Sequence, residues 1–198
     1  MLILKTCNQK INYNKFINTY DPKYINTDGF NLDVYCKLVK DIAEVKPIYS
    51  DIVITTNGGY PLDQNIYQTV KGMTAGEATV NENGVIIICS SCADGTGGEF
   101  FYKLLADNES AKIAYQKLND VEPQNTEFDQ WEAQILARIL TKANVIIVSE
   151  HCDPAIIKAM HIKHAYNLDE ALKMARDIVG ENKKITIIPD GISVIVKE

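Results

Sequence analysis

The run Val85-Ile86-Ile87-Ile88 is apolar and β-branched throughout, with no polar residue alternating along it. Three similar runs are Ile52-Val53-Ile54, Val145-Ile146-Ile147-Val148 and Ile185-Thr186-Ile187-Ile188. A strand with one face in water alternates polar and apolar side chains, whereas a strand buried on both faces does not. The four runs therefore predict strands inside a sheet that is covered on both sides.

Helical patterns lie between these runs. Asp153-Pro154 predicts a helix start, because aspartate caps a first turn and proline suits the first helical position. Strands that alternate with helices indicate a mainly parallel sheet. We predict an α/β fold, a three-layer Rossmann-like domain with a mainly parallel sheet. A further helix is predicted by one apolar stripe: Leu168, Ala171, Leu172, Ala175, Ile178 and Val179.

Composition narrows the function classes. The 198 residues suit one α/β domain with a short extra segment. A net charge of −6 argues against binding to nucleic acid or to an anionic membrane, since both require basic surfaces. No apolar run approaches the roughly 20 residues that span a bilayer. The five cysteines are irregularly spaced, so we expect a cytoplasmic protein with reduced thiols.

Ligands of such folds bind where loops leave the carboxyl ends of strands. The loop Asn57-Gly58-Gly59 follows one predicted strand, and Asp63 is expected to cap the helix after it. On this helix Tyr67, Gln68 and Lys71 occupy adjoining positions. An amide beside an ammonium suits a hydroxy-carboxylate, since the amide can form a hydrogen bond with the hydroxyl while the ammonium neutralises the carboxylate. The alternative is a tyrosine on the sheet and two solvated polar residues.

A second glycine-rich loop, Asp94-Gly95-Thr96-Gly97-Gly98, precedes a predicted helix at Glu99. Such a turn is a natural anion site, because free backbone N–H groups converge there. The dinucleotide fingerprint nevertheless fails, since Phe100 occupies its third glycine position. We expect this loop to shape a cleft wall or to meet another domain.

The CxxC cysteines and the histidines are interpreted as structural or surface residues. Cys89 and Cys92 form a CxxC, but six loop residues separate it from the next helix, so structural thiols are expected. His151 is expected to face solvent or to lie at a helix start. The remaining histidines, His161 and His164, are expected on the surface, and none of the three is assigned a catalytic or metal-binding role.

The stretch from Asp51 to Gly72, DIVITTNGGYPLDQNIYQTVKG, closely resembles the C-terminal domain of nickel-dependent lactate racemases. The resemblance runs from about residue 33 to the end and includes the Asp94-Gly95 loop. It implies that Gln68 and Lys71 contact substrate. Because both glycine loops leave the carboxyl ends of strands, we expect Asn57, Gly58, Gly59, Asp94 and Gly95 to line the cleft. The resemblance also implies substrate-binding roles for Tyr67 and for Trp131, although a helical stripe of Phe128, Trp131, Ile135 and Ile139 fits a core tryptophan equally well.

In that family a nickel pincer nucleotide and the catalytic histidines belong to an N-terminal domain, and none of the three histidines here resembles those motifs. Residues 1–29 are therefore interpreted as an irregular linker from a missing cofactor domain, and residues 30–198 as the C-terminal domain. We expect no cofactor on this chain alone, which we expect to be inactive. The resemblance implies hydride removal from C2 of lactate or a related 2-hydroxy acid, with the pincer cofactor as hydride acceptor.

Two other functions stay open. The first is a non-catalytic module that binds a small acid or acts within a complex, which a homologue without its metal domain would resemble. The second is a nucleotide-dependent enzyme that uses the second glycine loop. Retention of Tyr67, Gln68 and Lys71 together favours the racemase-like enzyme over the first, and the broken dinucleotide fingerprint weakens the second.

Overall fold

The computed structural model describes residues 2–3 and 32–197. The strands are β1 (Leu2–Ile3), β2 (Glu44–Val45), β3 (Ser50–Thr56), β4 (Val80–Cys89), β5 (Asn144–Val148), β6 (Lys163–Ala165), β7 (Ile185–Ile188) and β8 (Ile195–Val196). The helices are α1 (Leu32–Ala43), α2 (Ile66–Glu77), α3 (Glu99–Ala106), α4 (Ala111–Asn119), α5 (Gln130–Lys142), α6 (Pro154–Ala159) and α7 (Leu168–Val179). A short 3₁₀ turn covers Pro123–Asn125.

Six strands form one sheet in the order β1-β7-β3-β4-β5-β6, and every neighbouring pair is parallel. Strands β2 and β8 form a separate parallel pair. The chain passes from β3 through β4 and β5 to β6, and only then returns to place β7 on the other side of β3. The loops after β3 and β7 therefore leave adjacent strands at the same edge of the sheet, the edge where open α/β sheets bind ligands.

Apolar side chains of the central strands are buried on both faces of the sheet. Val53, Ile86 and Ile147 pack in a cluster with helices α2 to α6, while Ile52 and Ile87 pack with α7. The predicted α/β fold, with a mainly parallel sheet between helical layers, is confirmed. The helix predicted from the apolar stripe is α7, in which Ala171 and Ala175 are buried whereas Leu168 and Ile178, near its ends, are exposed.

The predicted linker at residues 1–29 falls mostly outside the described residues. Within it the structure describes only Leu2–Ile3, which pairs with β7. Across residues 2–3 and 32–197 there is no helix with the length and apolar character needed to cross a membrane.

Two glycines let separate segments approach the end of β3. A Cβ on Gly72 of α2 would lie 2.7 Å from the carbonyl oxygen of Thr56 and 2.8 Å from Oδ1 of Asn57. A Cβ on Gly191, after β7, would lie 2.5 Å from Oγ1 of Thr55. Because these neighbours belong to or directly follow a central strand, both positions require glycine. Helix α2 can therefore pack closely against the carboxyl end of β3.

We predict that Gly72→Ala destabilises the chain. Helix propensity alone favours alanine by about 1 kcal/mol, but the added methyl group overlaps a strand carbonyl that cannot move away. Overpacking of this kind costs roughly 1–3 kcal/mol, occasionally more, so urea unfolding should show a lower free energy of unfolding. Lys173→Ala, at an exposed position of α7, is the control and should change stability by less than about 0.5 kcal/mol. A Gly72→Ala variant more stable than wild type would contradict the close approach.

Candidate functional site

The first turn of α2 is capped by Asn65, whose side chain accepts a hydrogen bond from the backbone N–H of Gln68 at 2.9 Å. The prediction of an Asp63 cap is wrong. Asp63 lies two residues earlier, where its carboxylate accepts from the backbone N–H of Ser91 at 3.2 Å. Both residue types cap helices well, so their order in the sequence could not decide between them.

The second glycine loop serves the same helix start. The carbonyl oxygens of Gly95 and Thr96 accept hydrogen bonds from the backbone N–H groups of Ile66 and Tyr67, at 2.9 and 3.0 Å. These two N–H groups begin α2 and have no partner within the helix. The loop therefore stabilises and places the helix that carries Tyr67, Gln68 and Lys71, and its predicted role beside the cleft is indirect.

An anion at the start of α3 would meet unfavourable charge. Gly98 is the residue before this helix and provides no side-chain cap. A Cβ on Gly98 would lie 3.0 Å from a carboxylate oxygen of Asp129. A carboxylate beside a helix start occupies the place that a phosphate would take. The geometry therefore disfavours nucleotide binding at the second glycine loop.

Asn57 is 1% exposed and ties the loop after β3 to α2. Its amide nitrogen donates to the carbonyl oxygens of Leu62 and Gln68, the latter at 3.0 Å. Its Oδ1 accepts from the backbone N–H of Gly72 at 2.8 Å. One side chain thus contacts backbone atoms on both sides of Lys71, which fixes the helix turn that carries the predicted substrate contacts.

A cleft of about 280 Å³ lies at this edge of the sheet. Within it Lys71 Nζ donates to Oε1 of Gln68 at 2.6 Å, and the Lys71 side chain is exposed. Ligand cavities for drug-sized molecules begin at roughly 300 Å³, so this cleft suits a molecule of few atoms. It brings three of the predicted site residues together with residues that follow β7. The residues that line it are Asn57, Leu62, Gln68, Lys71, Thr74, Gly191, Ile192 and Val194.

The other predicted loop residues do not line this cleft. Gly58 and Gly59 have φ values of +76° and +80°, and the Gly59 carbonyl accepts from the backbone N–H of Leu62 at 2.8 Å. They form the turn that brings Leu62 to the cleft wall. Asp94 is exposed, and Gly95 contacts the start of α2 through its carbonyl.

Tyr67 and Trp131 form an aromatic pair beside the polar residues. Their ring centroids are 5.8 Å apart and the rings meet edge to face. Tyr67 also contacts Phe101, with centroids 5.2 Å apart. Trp131 is 53% exposed, so the alternative of a core tryptophan is wrong. Burial, followed by the nearby carboxylates of Asp129 and Glu132, raises the pKa of Tyr67 and keeps its phenol protonated.

Glu132 is a candidate residue that the sequence did not reveal. It is 1% exposed, and neither carboxyl oxygen has a hydrogen-bond partner among the described residues. Burial raises its pKa to about 7, opposed by the positive charge of Lys71 and assisted by Asp129. Glu132 is therefore coupled by charge to Lys71, which lowers the pKa of Glu132, and to Tyr67, whose pKa Glu132 raises. Its proximity to them depends on how α5 packs on α2, which no local pattern indicates.

Cys89, Cys92 and Cys152 behave as structural thiols. Cys92 is buried, and its sulfur lies 3.5 Å from Oγ1 of Thr69 and 3.4 Å from Oγ of Ser90. Burial raises the pKa of Cys89, of Cys92 and of Cys152, for the last to about 11. A reactive cysteine needs the opposite shift, so the interpretation of structural thiols is supported.

The histidines divide between surface and core. His151 is exposed, and His161 is half-buried with Nε2 3.2 Å from the carbonyl oxygen of Leu105. The prediction of a surface position is wrong for His164, which is 7% exposed. Its Nε2 lies 2.9 Å from the carbonyl oxygen of Ser149, and Tyr166 packs on its ring. Its place in β6, not visible as a strand in the sequence, explains the burial.

Comparison with known proteins identifies the family of this domain. A family model described as the lactate racemase C-terminal domain matches residues 45–196. The chain belongs to the lactate racemase C-terminal domain family. It is 52% identical over 163 residues to a lactate racemase of Thermoanaerobacterium thermosaccharolyticum and 51% identical over 164 residues to one of Lactiplantibacillus plantarum.

A solved structure, the lactate racemase apoprotein from Thermoanaerobacterium thermosaccharolyticum, matches this domain with a TM-score of 0.80 at 52% identity. The match covers 82% of this chain and 39% of that chain. The two sequence relatives are likewise matched over only 38% and 39% of their lengths. The chain thus spans less than half the length of these lactate racemases.

We predict that Glu132→Gln changes how stability depends on pH. The folded-state pKa of Glu132, about 7, lies above the ordinary 4.5. The contribution of Glu132 to wild-type stability is therefore fully present below pH 4.5 and is lost as the pH rises through 7. The isosteric amide removes that loss. The free energy of unfolding of Glu132→Gln minus that of wild type should therefore increase between pH 4.5 and about 8, by at most roughly 3 kcal/mol.

Urea unfolding at several pH values measures this difference. Glu122→Gln, which removes an exposed carboxylate near the 3₁₀ turn, is the control. Its difference from wild type should stay within about 0.5 kcal/mol at every pH. If the Glu132→Gln difference were equally flat, the raised pKa would be wrong.

Proposed function

We propose that this chain is the substrate-binding C-terminal part of a lactate racemase-like enzyme that racemises or epimerises a 2-hydroxy acid. The observation that carries the proposal is the Lys71–Gln68 pair, joined at 2.6 Å at the edge of a small cleft. The relatives named lactate racemase contain this domain as part of a longer chain, so we propose that the remainder of the enzyme completes the site.

The polar pair matches the two groups that define a 2-hydroxy acid. An ammonium has three donors, and Lys71 uses one of them on Gln68. Its other donors can hold a carboxylate through charge-assisted bonds. The amide nitrogen of Gln68 can donate to the substrate hydroxyl, since its Oε1 is the atom that Lys71 contacts. The pair thus binds and orients, and its charge suits an anion.

The aromatic side of the site is where we place the partner domain. Trp131 is 53% exposed, and nearby Phe128 is 76% exposed and packs on Phe100 with centroids 6.3 Å apart. Clustered exposed apolar side chains mark interaction surfaces. We propose that the N-terminal domain of the complete enzyme covers these rings and encloses the substrate against Tyr67.

For the nickel pincer nucleotide implied by the resemblance, the described residues of this chain offer no cluster of metal ligands. Between residues 32 and 197 no three His, Cys, Asp or Glu side chains are arranged to hold a metal ion. We therefore assign the cofactor to the remainder of the enzyme and assign to this chain only binding and orientation. We also place the protein in the cytoplasm, where thiols such as Cys36, Cys89, Cys92 and Cys152 remain free.

The test is reconstitution of activity from two parts. This chain would be mixed with the cofactor-loaded N-terminal part of the Thermoanaerobacterium thermosaccharolyticum relative, and conversion of D-lactate to L-lactate followed by chiral chromatography. Lys71→Ala should lower kcat/KM on the order of 100-fold, because a charge-assisted contact of about 3 kcal/mol is lost. Lys103→Ala, which removes an exposed lysine paired with Glu99, should leave the rate unchanged.

Two results would count against the proposal. Equal rates for Lys71→Ala and wild type would show that the Gln68–Lys71 pair does not hold substrate. No conversion by the wild-type mixture, despite formation of the complex, would favour the non-catalytic small-acid-binding module. Circular dichroism of each variant separates these outcomes from unfolding, since Lys71 is exposed and its truncation should leave the fold intact.

A further inference from the structure

Glu132 is an unusual residue to find inside a domain. Its side chain is 1% exposed, and both carboxyl oxygens lack a hydrogen-bond partner within the described part of the chain. Burying a carboxylate without a partner costs several kcal/mol, and most buried polar groups are paired for that reason. A leucine or methionine at this position of α5 would avoid the cost. The carboxyl therefore calls for an explanation outside packing.

The surroundings of Glu132 supply that explanation. It follows Trp131 directly on α5, and α5 packs against α2, the helix of Tyr67 and Lys71. Lys71 and Asp129 are the charged groups that act on it among the described residues, and Glu132 in turn acts on the phenol of Tyr67. Lys71 thus interacts with two oxygen groups, the Gln68 amide through a hydrogen bond and the buried Glu132 carboxyl through its charge.

We propose that Glu132 is a positioning residue that sets the charge with which Lys71 meets a carboxylate in the cleft. The inference rests on the proposed function, in which Lys71 binds the acid group of the substrate. When the Glu132 carboxyl is protonated, the ammonium presents its full positive charge to the cleft. When the carboxyl is ionised, it neutralises part of that charge and repels an incoming anion.

Linkage gives the direction of the effect. A bound carboxylate near Lys71 places a second negative charge close to Glu132 and so favours the protonated form of Glu132. Binding of the anion then takes up a proton, and by reciprocity a rise in pH weakens binding. Such a coupling changes affinity by about fivefold or more. Because burial raises the Glu132 pKa to about 7, the change falls close to neutral pH.

The experiment follows the carboxyl itself. The chain would be labelled with ¹³C at the glutamate side-chain carboxyl, and the resonance that disappears in Glu132→Gln would be assigned to Glu132. Its midpoint should lie near 7, and Lys71→Met should move it to higher pH, because a neighbouring cation is lost. Glu122→Gln, at an exposed position, is the matched control and should leave the Glu132 midpoint unchanged. Saturating L-lactate should move the wild-type midpoint upward.

The outcomes separate this proposal from the proposed function. A Glu132 midpoint near the ordinary 4.5, or one that Lys71→Met does not move, overturns the control of Lys71 by Glu132 whatever lactate does. A midpoint that responds to Lys71→Met, with no resonance of the chain responding to lactate, supports the coupling and counts against lactate binding at this site. A lactate response without any shift of the Glu132 midpoint supports the site and overturns the coupling.

Discussion

The carboxamide of Asn57 is the contact on which the geometry of the site depends. It bonds the carbonyl of Gln68 and the backbone N–H of Gly72, which lie four residues apart in α2. Lys71 stands between those two bonded positions, so its backbone cannot shift along the sheet edge without breaking them. The absence of a side chain on Gly72 permits the approach. Substrate-contacting groups on a rigid helix are placed more accurately than groups on a loop.

The same helix is held from its other end by the second glycine loop, whose carbonyls accept from the N–H groups of Ile66 and Tyr67. This use occupies the donors at the start of α2, and the carboxylate of Asp129 lies beside the start of α3, where an anion would bind. A loop that resembles a phosphate cradle in sequence is therefore a structural clamp in the fold. The positive charge of the site comes from the Lys71 side chain instead, where the neighbouring carboxyl of Glu132 can modulate it.

Much of the fold could be predicted because its signals are local. The unbroken run Val85–Ile88 predicted burial on both faces of the sheet, and Asp153-Pro154 predicted the start of α6. The adjacency of Gln68 and Lys71 followed from helical spacing. Glu132 was missed because its burial depends on contact between α5 and α2, which are far apart in sequence. His164 was misplaced because β6 has three residues, too few for a periodic pattern.

Two polar contacts, one to the carboxylate and one to the hydroxyl of the substrate, suit the proposed racemisation. The two enantiomers of a 2-hydroxy acid share a carboxylate and a hydroxyl and differ in where hydrogen and the side chain stand on C2. A site that distinguishes them needs a third directed contact, whereas a site that accepts both must avoid one. Lys71 and Gln68 offer donors for the two shared groups, and the rings of Tyr67 and Trp131 offer apolar surface beside them. Both enantiomers could then be held by the same residues, and stereochemical inversion would require no rearrangement of this domain.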